Sequence, residues 1–151
     1  MAELPGEPLH ILLVEDNEAH AELIIRSMHD LQVAGRIHHV IDGEQALDYV
    51  FGRGAYADST QYPRPDLILL DLRLPRIDGL EVLETIKTTP GLLRIPIVIL
   101  TSSDAENDIA RSYDFHANSY VVKPLEFKKF TRLMKDLGCY WLEWNTMPEQ
   151  E

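Results

Sequence analysis

His-Ile-Leu-Leu-Val-Glu-Asp-Asn-Glu-Ala-His-Ala-Glu-Leu-Ile-Ile-Arg-Ser-Met-His, residues 10–29, carries the reading of the fold. His10–Val14 is a short leucine and β-branched run, the length of a strand buried on both faces. Two acids and an asparagine then break the apolar pattern. From Glu18 to His29 the period changes, with Ala19, Leu23, Ile24 and Met28 recurring at helical spacing. A buried strand, an acidic turn and an amphipathic helix make the first half of a β–α–β unit.

The alternation continues along the chain. Ile37–Ile41 reads as a strand, and Glu44–Phe51 as a helix with Ala46, Leu47, Val50 and Phe51 on one face. Residues 52–65, with Gly52, Gly54, Pro63 and Pro65 among polar residues and tyrosines, form a loop, long against the usual median of about 4–6. Asp66–Leu70 is a strand, Gly79–Thr88 a helix carrying Leu80, Val82, Leu83 and Ile86, and Ile97–Leu100 a strand. Asp104–Phe115 is helical, Ser119–Val122 is the fifth strand, and Leu125 to about Leu142 is a terminal amphipathic helix. Five strands alternating with five helices predict an α/β fold: a doubly wound five-stranded parallel sheet with helices on both faces.

The chain has 151 residues, 45% of them hydrophobic, which suits one domain burying roughly 68–70% of its unfolded surface. Acids outnumber bases 25 to 14, giving a net charge of −11 with the basic residues scattered, so a phosphate backbone would be repelled and nucleic acid is not an expected partner. The single cysteine, Cys139, excludes a disulfide framework and a cysteine-rich zinc site. The first eight residues lack the basic start and apolar run of a signal peptide, and no apolar stretch approaches the ~20 residues of a membrane span. A cytoplasmic protein is expected.

In doubly wound sheets ligands bind beyond the carboxyl ends of the strands, at a topological switch point. The residues that follow the strands are therefore the informative ones: Glu15 and Asp16, then Asp71, then Thr101 and Ser102, then Lys123 and Pro124. Singly, each has an ordinary reading as a helix cap or a loop residue. Together, three carboxylates repel one another unless a cation neutralises them, and an all-oxygen donor set suits Mg²⁺, which keeps several waters and binds beside phosphate. A lysine and a hydroxyl would complement added phosphoryl oxygens. The chemistry implied is transfer of a phosphoryl group to a carboxylate.

Four segments resemble the receiver domain of two-component response regulators: Ile-Leu-Leu-Val-Glu-Asp-Asn (11–17), Asp-Leu-Arg-Leu-Pro-Arg-Ile-Asp-Gly-Leu-Glu (71–81), Ile-Leu-Thr-Ser (99–102) and Ala-Asn-Ser-Tyr-Val-Val-Lys-Pro (117–124). The resemblance covers roughly residues 9–140 and implies a flavodoxin-like receiver fold. It implies Asp71 as the phospho-acceptor and Glu15 and Asp16 as holders of Mg²⁺, with Asp16 the direct ligand. The carbonyl of Arg73 completes the set. Thr101 would contact the phosphoryl group and Lys123 pair with it, while Tyr120 matches the aromatic switch position. Arg73 and Ser103 occupy positions that tune the lifetime of the aspartyl phosphate, and Pro124 follows the lysine where the family commonly has a cis peptide. Glu15 departs from the more frequent aspartate, which leaves its metal contact, direct or through water, open.

The expected organisation is a leader (1–8), a receiver domain (9–144) with a loop insertion at 52–65 and an extended C-terminal helix, and a tail (145–151). After Pro124, 27 residues remain, fewer than the ~50 of a separate output domain. None is expected, so the signal would leave through the domain's own surface, to a downstream protein or as an intermediate in a phosphorelay. The long loop before the third strand and the aromatic segment 139–144 resemble stand-alone regulators paired with phytochromes, implying a histidine kinase partner and a homodimer. Trp141 and Trp144, three apart, would share a helical face if the helix persists, covering either the core or an interface. A haloacid-dehalogenase-type phosphatase would also use a strand-end Asp and Mg²⁺, but wants an acid where Arg73 stands. A flavodoxin-like ligand module would want a Gly/Ser/Thr turn in place of Glu-Asp-Asn. His38 and His39, adjacent on a strand, face opposite ways and are no chelating pair; His20 reads as a solvated helix residue in preference to a neighbour of the acidic pair, and Cys139 as packing.

Overall fold

Strands that are apolar on both faces are stable only inside a sheet covered on both sides. The computed structural model, which describes residues 9–30 and 35–148, meets that demand. Its elements are β1 (Leu9–Val14), α1 (Glu18–His29), β2 (Gly35–Val40), α2 (Gly43–Phe51), β3 (Leu67–Leu70), α3 (Gly79–Lys87), β4 (Ile97–Thr101), α4 (Glu106–Asp114), β5 (Ser119–Val122) and α5 (Phe127–Cys139). All five strands are parallel, in the order β2-β1-β3-β4-β5. The leader lies outside the described residues, as do the last three residues of the tail.

One face of the sheet packs Leu12, Val14, Ile68, Leu70, Ile97 and Ile99 against α2 and α3 through Ala46, Leu47, Leu80, Leu83 and Ile86. The other packs Ile11, Leu13, Leu67, Leu69, Val98 and Leu100 against α1 and α5 through Ala21, Ile24, Met28, Phe130, Met134 and Leu137. The buried stripe of α1 is Ala21, Ile24, Ser27 and Met28; Ala19, expected on that stripe, is exposed in the first turn. On α2 the buried aromatic is Tyr49 instead of Phe51, which is 38% exposed with the Arg53 guanidinium over its ring.

The 52–65 insertion explains Tyr49. A 3₁₀ turn at Gly54–Tyr56 folds the loop back, and Tyr56 and Tyr62 lie edge to face, 5.0 Å apart, beside Tyr49. The Tyr49 hydroxyl donates to the Pro63 carbonyl at 2.9 Å. His38 joins the cluster 5.5 Å from Tyr49 and stacks on His10, while His39 turns the other way to the Glu15 carbonyl, so the two histidines do face apart.

Beyond α5 the chain widens into a π-helical turn, Tyr140–Trp144, closed by the Asn145 N–H on the Tyr140 carbonyl. Five residues per hydrogen-bonded turn rotate the two tryptophans off a common face. Trp141 is buried in the core, and Trp144 is 76% exposed. Cys139 is half-buried and donates to Glu143, so it is a surface contact more than a packing residue. No peptide bond among the described residues is cis, Lys123–Pro124 included.

Gly79 is required where α3 begins. A Cβ there would lie 2.4 Å from the Asp71 carbonyl oxygen and 2.5 Å from the Leu72 Cα, backbone atoms that cannot give way cheaply. Gly79→Ala should cost about 1–3 kcal/mol or more, measured by urea unfolding, because the helix must move off the strand end.

The His38 ring nitrogen Nε2 is buried without a hydrogen-bond partner. Burial, then the neighbouring charges of His10 and Arg36, hold its pKa below 6.5, and the rings of Tyr49 and Tyr62 face it from α2 and the loop. Between that depressed value and 6.5 the unfolded chain binds a proton that the folded chain does not, so stability rises with pH across the window and is lost on acidification. His38→Phe should flatten the slope of unfolding free energy on the acid side of pH 6.5, as measured by urea unfolding at a series of pH values.

Candidate phosphoryl-acceptor site

The strand order places the site. β1 and β3 are neighbours whose chains leave toward opposite sides, and their carboxyl ends deliver Glu15, Asp16 and Asp71 to one crevice. The backbone joins the edges there: Asp71 N–H donates to the Val14 carbonyl, Glu15 N–H to Val40, and Lys123 N–H to Thr101, at 2.8–3.1 Å. Carboxylate oxygens of Glu15, Asp16 and Asp71 all lie within 4.8 Å of one another.

Glu15, Asp71 and Lys123 are buried, whereas Asp16 is exposed. The Lys123 ammonium ion-pairs with Glu15 Oε1 and with Asp71 Oδ2 at 3.0 Å. A buried carboxylate without a cation would be far costlier than a paired one. For Asp71, burial alone would raise the pKa, but Lys123's charge and hydrogen bonds from Lys123, Thr101 and the Arg73 N–H outweigh it and hold the carboxyl below its usual value. Glu15 goes the other way: burial dominates Lys123's opposing pull, Asp71's charge adds to it, and the pKa is pushed up to about 7. Lys123 therefore secures the ionised form of one carboxylate more than of the other.

Glu15, Asp16, Asp71 and Lys123 meet in the crevice, with the Thr101 hydroxyl hydrogen-bonded to Asp71. Thr101 is fully buried at the end of β4. Tyr120 is half-buried, its hydroxyl donating to the Ser103 carbonyl at 2.8 Å, so the ring lies against the β4–α4 loop. Arg73 sends its guanidinium away from the carboxylates, to Asp108.

Two residues escaped the sequence reading. His20, expected to be solvated, is half-buried, with Nδ1 3.0 Å from the Lys123 ammonium and its ring edge-on to Phe130. Burial, then Lys123's charge, lowers its pKa against the opposing pull of Asp71 and Asp16, which suits a neutral Nδ1 accepting from the ammonium. Asp108, on α4, is buried and takes both Arg73 and the Ser103 hydroxyl. Both residues stand three positions after their helix's N-cap (Asn17 and Ala105), where a side chain leans back over the strand ends. That position was the available signal.

A cleft of about 210 Å³ is lined by Lys123 together with His20, Pro124, Leu125, Phe127 and Phe130. The arrangement offers an ionised nucleophilic carboxylate, a fixed ammonium, a hydroxyl and three hard oxygen donors spaced for a divalent cation. Among the described residues no helix is long and apolar enough to cross a membrane.

Comparison with known proteins agrees with this geometry. The response regulator receiver domain model matches residues 11–135. A probable methanogenesis regulatory protein of Methanothrix harundinacea, FilR2, is 46% identical over 142 residues, which are 94% of this chain and 89% of that one. Response regulator Rcp1 of Synechocystis is 38% identical over 98% of this chain and 99% of its own. Its Mn²⁺-bound crystal structure superposes with a TM-score of 0.89 at 39% identity, covering 94% of this chain and 100% of that one. The phosphorylated cyanobacterial phytochrome response regulator RcpA gives 0.89 at 42%, covering 94% and 99%. Matched by that family model over residues 11–135, the chain belongs to the response regulator receiver domain family.

Proposed function

We propose that this receiver takes a phosphoryl group from a histidine kinase onto Asp71, in a step that needs Mg²⁺, and passes the signal on through its own surface. One observation carries the reading: Asp71 is a buried carboxylate held ionised by Lys123 at the carboxyl edge of the sheet. An Asp71 oxygen attacks phosphorus, the bond from phosphorus to the donor's histidine nitrogen breaks, and the imidazole leaves with that electron pair. Lys123 balances charge on the transferred group, and Thr101 supplies a hydroxyl to it. His20 Nδ1, 3.0 Å from the ammonium, accepts from it as a further neighbour.

Glu15, Asp16, Asp71 and the Arg73 carbonyl would hold Mg²⁺; the donor set fits, being hard oxygens within 4.8 Å among the three carboxylates. When bound, the ion neutralises the charge gathering on the phosphoryl oxygens. Binding of a divalent metal has a precedent in the Mn²⁺-bound form of Rcp1.

The kinase we assign is of the phytochrome type. Support comes from the insertion at 52–65, the aromatic C-terminal segment and the similarity to RcpA over nearly the whole chain. FilR2 favours a second reading, in which the same chemistry serves a different sensor. The output surface in this proposal is formed by α4, β5 and the terminal helix, where Tyr113, Val122, Tyr140 and Trp144 are exposed and a second copy or a downstream protein can cover them. A dehalogenase-like phosphatase has no support, since Arg73 stands where its acid/base would be and is engaged by Asp108.

Asp71→Asn should abolish base-labile labelling by acetyl phosphate and by a phosphorylated histidine kinase while leaving the circular dichroism spectrum unchanged; retained labelling would refute the assignment. Mg²⁺ affinity should fall more in Asp16→Asn than in Glu15→Gln, because Asp16 is exposed while Glu15 is occupied by Lys123. NMR shift titration of both variants with Mg²⁺ measures the order.

A further inference from the structure

The ammonium of Lys123 has three N–H donors and nothing with which to accept, and each donor has an acceptor. Glu15 Oε1 is one, Asp71 Oδ2 at 3.0 Å is the second, and His20 Nδ1, also at 3.0 Å, is the third. Because an ammonium can only donate, Nδ1 is unprotonated in this contact, so His20 is neutral and carries its hydrogen on Nε2. The imidazole is held at both ends. Its backbone N–H donates to Asn17 Oδ1 at 3.0 Å in the first turn of α1, and its ring stands edge-on to Phe130 of α5, with centroids 5.5 Å apart. It is a fixed acceptor at the tip of a long, flexible lysine stem.

The three acceptors differ in what else they do. Glu15 and Asp71 are both among the carboxylates assigned to the divalent cation, and Asp71 also gives an oxygen to the new bond with phosphorus. That oxygen carries less charge in an acyl phosphate than in a free carboxylate, so its hold on the ammonium weakens as the bond forms. His20 has no second duty. When a phosphoryl oxygen replaces Asp71 Oδ2 as a partner of the ammonium, Lys123 has to pivot. An acceptor whose place and charge stay the same across the step is what it can pivot on, and orientation of this kind lowers the barrier without touching the reacting atoms.

Resting on the reading of Asp71 as phospho-acceptor, we propose that His20 is a positioning residue for phosphoryl transfer, its neutral Nδ1 anchoring the Lys123 ammonium while the contact with Asp71 is exchanged for one with the phosphoryl group. It acts through Lys123 alone. Without it, one N–H of a buried ammonium loses its acceptor, and the ammonium is less often turned toward the arriving phosphoryl oxygen. Burial, then the charge of Lys123, lowers the His20 pKa from 6.5 against the pull of Asp71 and Asp16, which keeps the anchor in its accepting form at neutral pH.

The test has two arms, both on the full chain. In the unphosphorylated protein, ¹⁵N–¹H correlation spectra of the imidazole at about pH 7.5 read the tautomer. A single Nε2–H form of His20 is expected; an Nδ1–H form or an averaged mixture overturns the proposal. The second arm measures initial rates of phosphorylation by acetyl phosphate with Mg²⁺. His20→Leu, which keeps an apolar side chain near Phe130 but has no acceptor, should lower the second-order rate constant about fivefold or more. His20→Asn, whose Oδ1 stands as many bonds from the backbone as Nδ1 does, should recover most of that loss, a rescue that a merely structural role for the ring would not give. Equal losses in the two variants, or an unchanged rate in His20→Leu, overturn the proposal. Should His20→Leu prove unstable, His20→Phe takes its place by the same criterion, with a ring against Phe130 and no acceptor. Failure of the unsubstituted chain to acquire any phosphoryl group would strike the phospho-acceptor reading and this inference with it, whereas a wrong tautomer would strike this inference alone.

Discussion

The site depends on one buried ammonium. Lys123 lies between two buried carboxylates, with His20 as a third neighbour, and no other cationic side chain is ion-paired with Glu15 or Asp71 among the described residues. Bringing the acids together without it would cost several kcal/mol per buried charge. With it, the two carboxylates still differ. Asp71 has three kinds of donor and stays ionised, while Glu15 is dominated by burial and sits near neutrality. The cluster is electrostatically unfinished, with three acids around one cation. That is a poor way to stabilise a fold and a good way to receive a divalent ion and a phosphoryl group.

The fold makes this arrangement by topology, with few dedicated contacts. A parallel sheet sends every strand's carboxyl end to the same edge, and the order β2-β1-β3-β4-β5 puts the acidic ends of β1 and β3 side by side. The lysine arrives from the far strand, β5, and its long side chain spans the end of β4 to reach them. Close backbone approach completes the edge. Gly79 lets α3 start against the Asp71 and Leu72 backbone, and Gly43 sits so close to Ile77 that a Cβ would lie 2.0 Å from its carbonyl oxygen. These contacts explain why apolar packing far from the chemistry still sets the position of the acceptor.

Much of this was legible in the sequence, for an identifiable reason. Strand-end residues are located by the apolar runs before them, so Glu15, Asp16, Asp71, Thr101 and Lys123 could be placed without coordinates, and β5 and α1 have the bounds that periodicity gives. His20 and Asp108 were hidden because each sits on a helix whose period makes it look solvent-facing. Only the backward lean of a side chain three residues after the N-cap turns it to the strand ends. Gln45, at the same place after Asp42, shows the ordinary use of that geometry, its side chain accepting the Ile41 N–H while Asp42 accepts its own. The aromatic pair is a different case. Trp141 and Trp144 share a face only if the α-helix persists, and the chain instead enters a π turn, whose rotation is decided by tertiary packing that periodicity does not encode.

The same leaning residues bear on how a chemical change at one edge reaches a surface. His20 touches Lys123 from α1 and Phe130 from α5, whereas Asp108 touches Arg73 and, through Ser103, Tyr120. On the proposed function, a phosphoryl group on Asp71 would give Lys123 a new partner, beside the loop that Arg73 and Asp108 hold. Only the path through α4 ends on a half-exposed tyrosine at an edge strand, β5, where a displaced side chain changes what the surface offers. The path through His20 ends in packed core, against Phe130 and Met134. A coupling free energy of about 1–3 kcal/mol suffices to redistribute a two-state surface element but not to repack a buried cluster. On the proposed function, the hydrogen-bonded side of the site, not the apolar side, is where the signal would leave the domain.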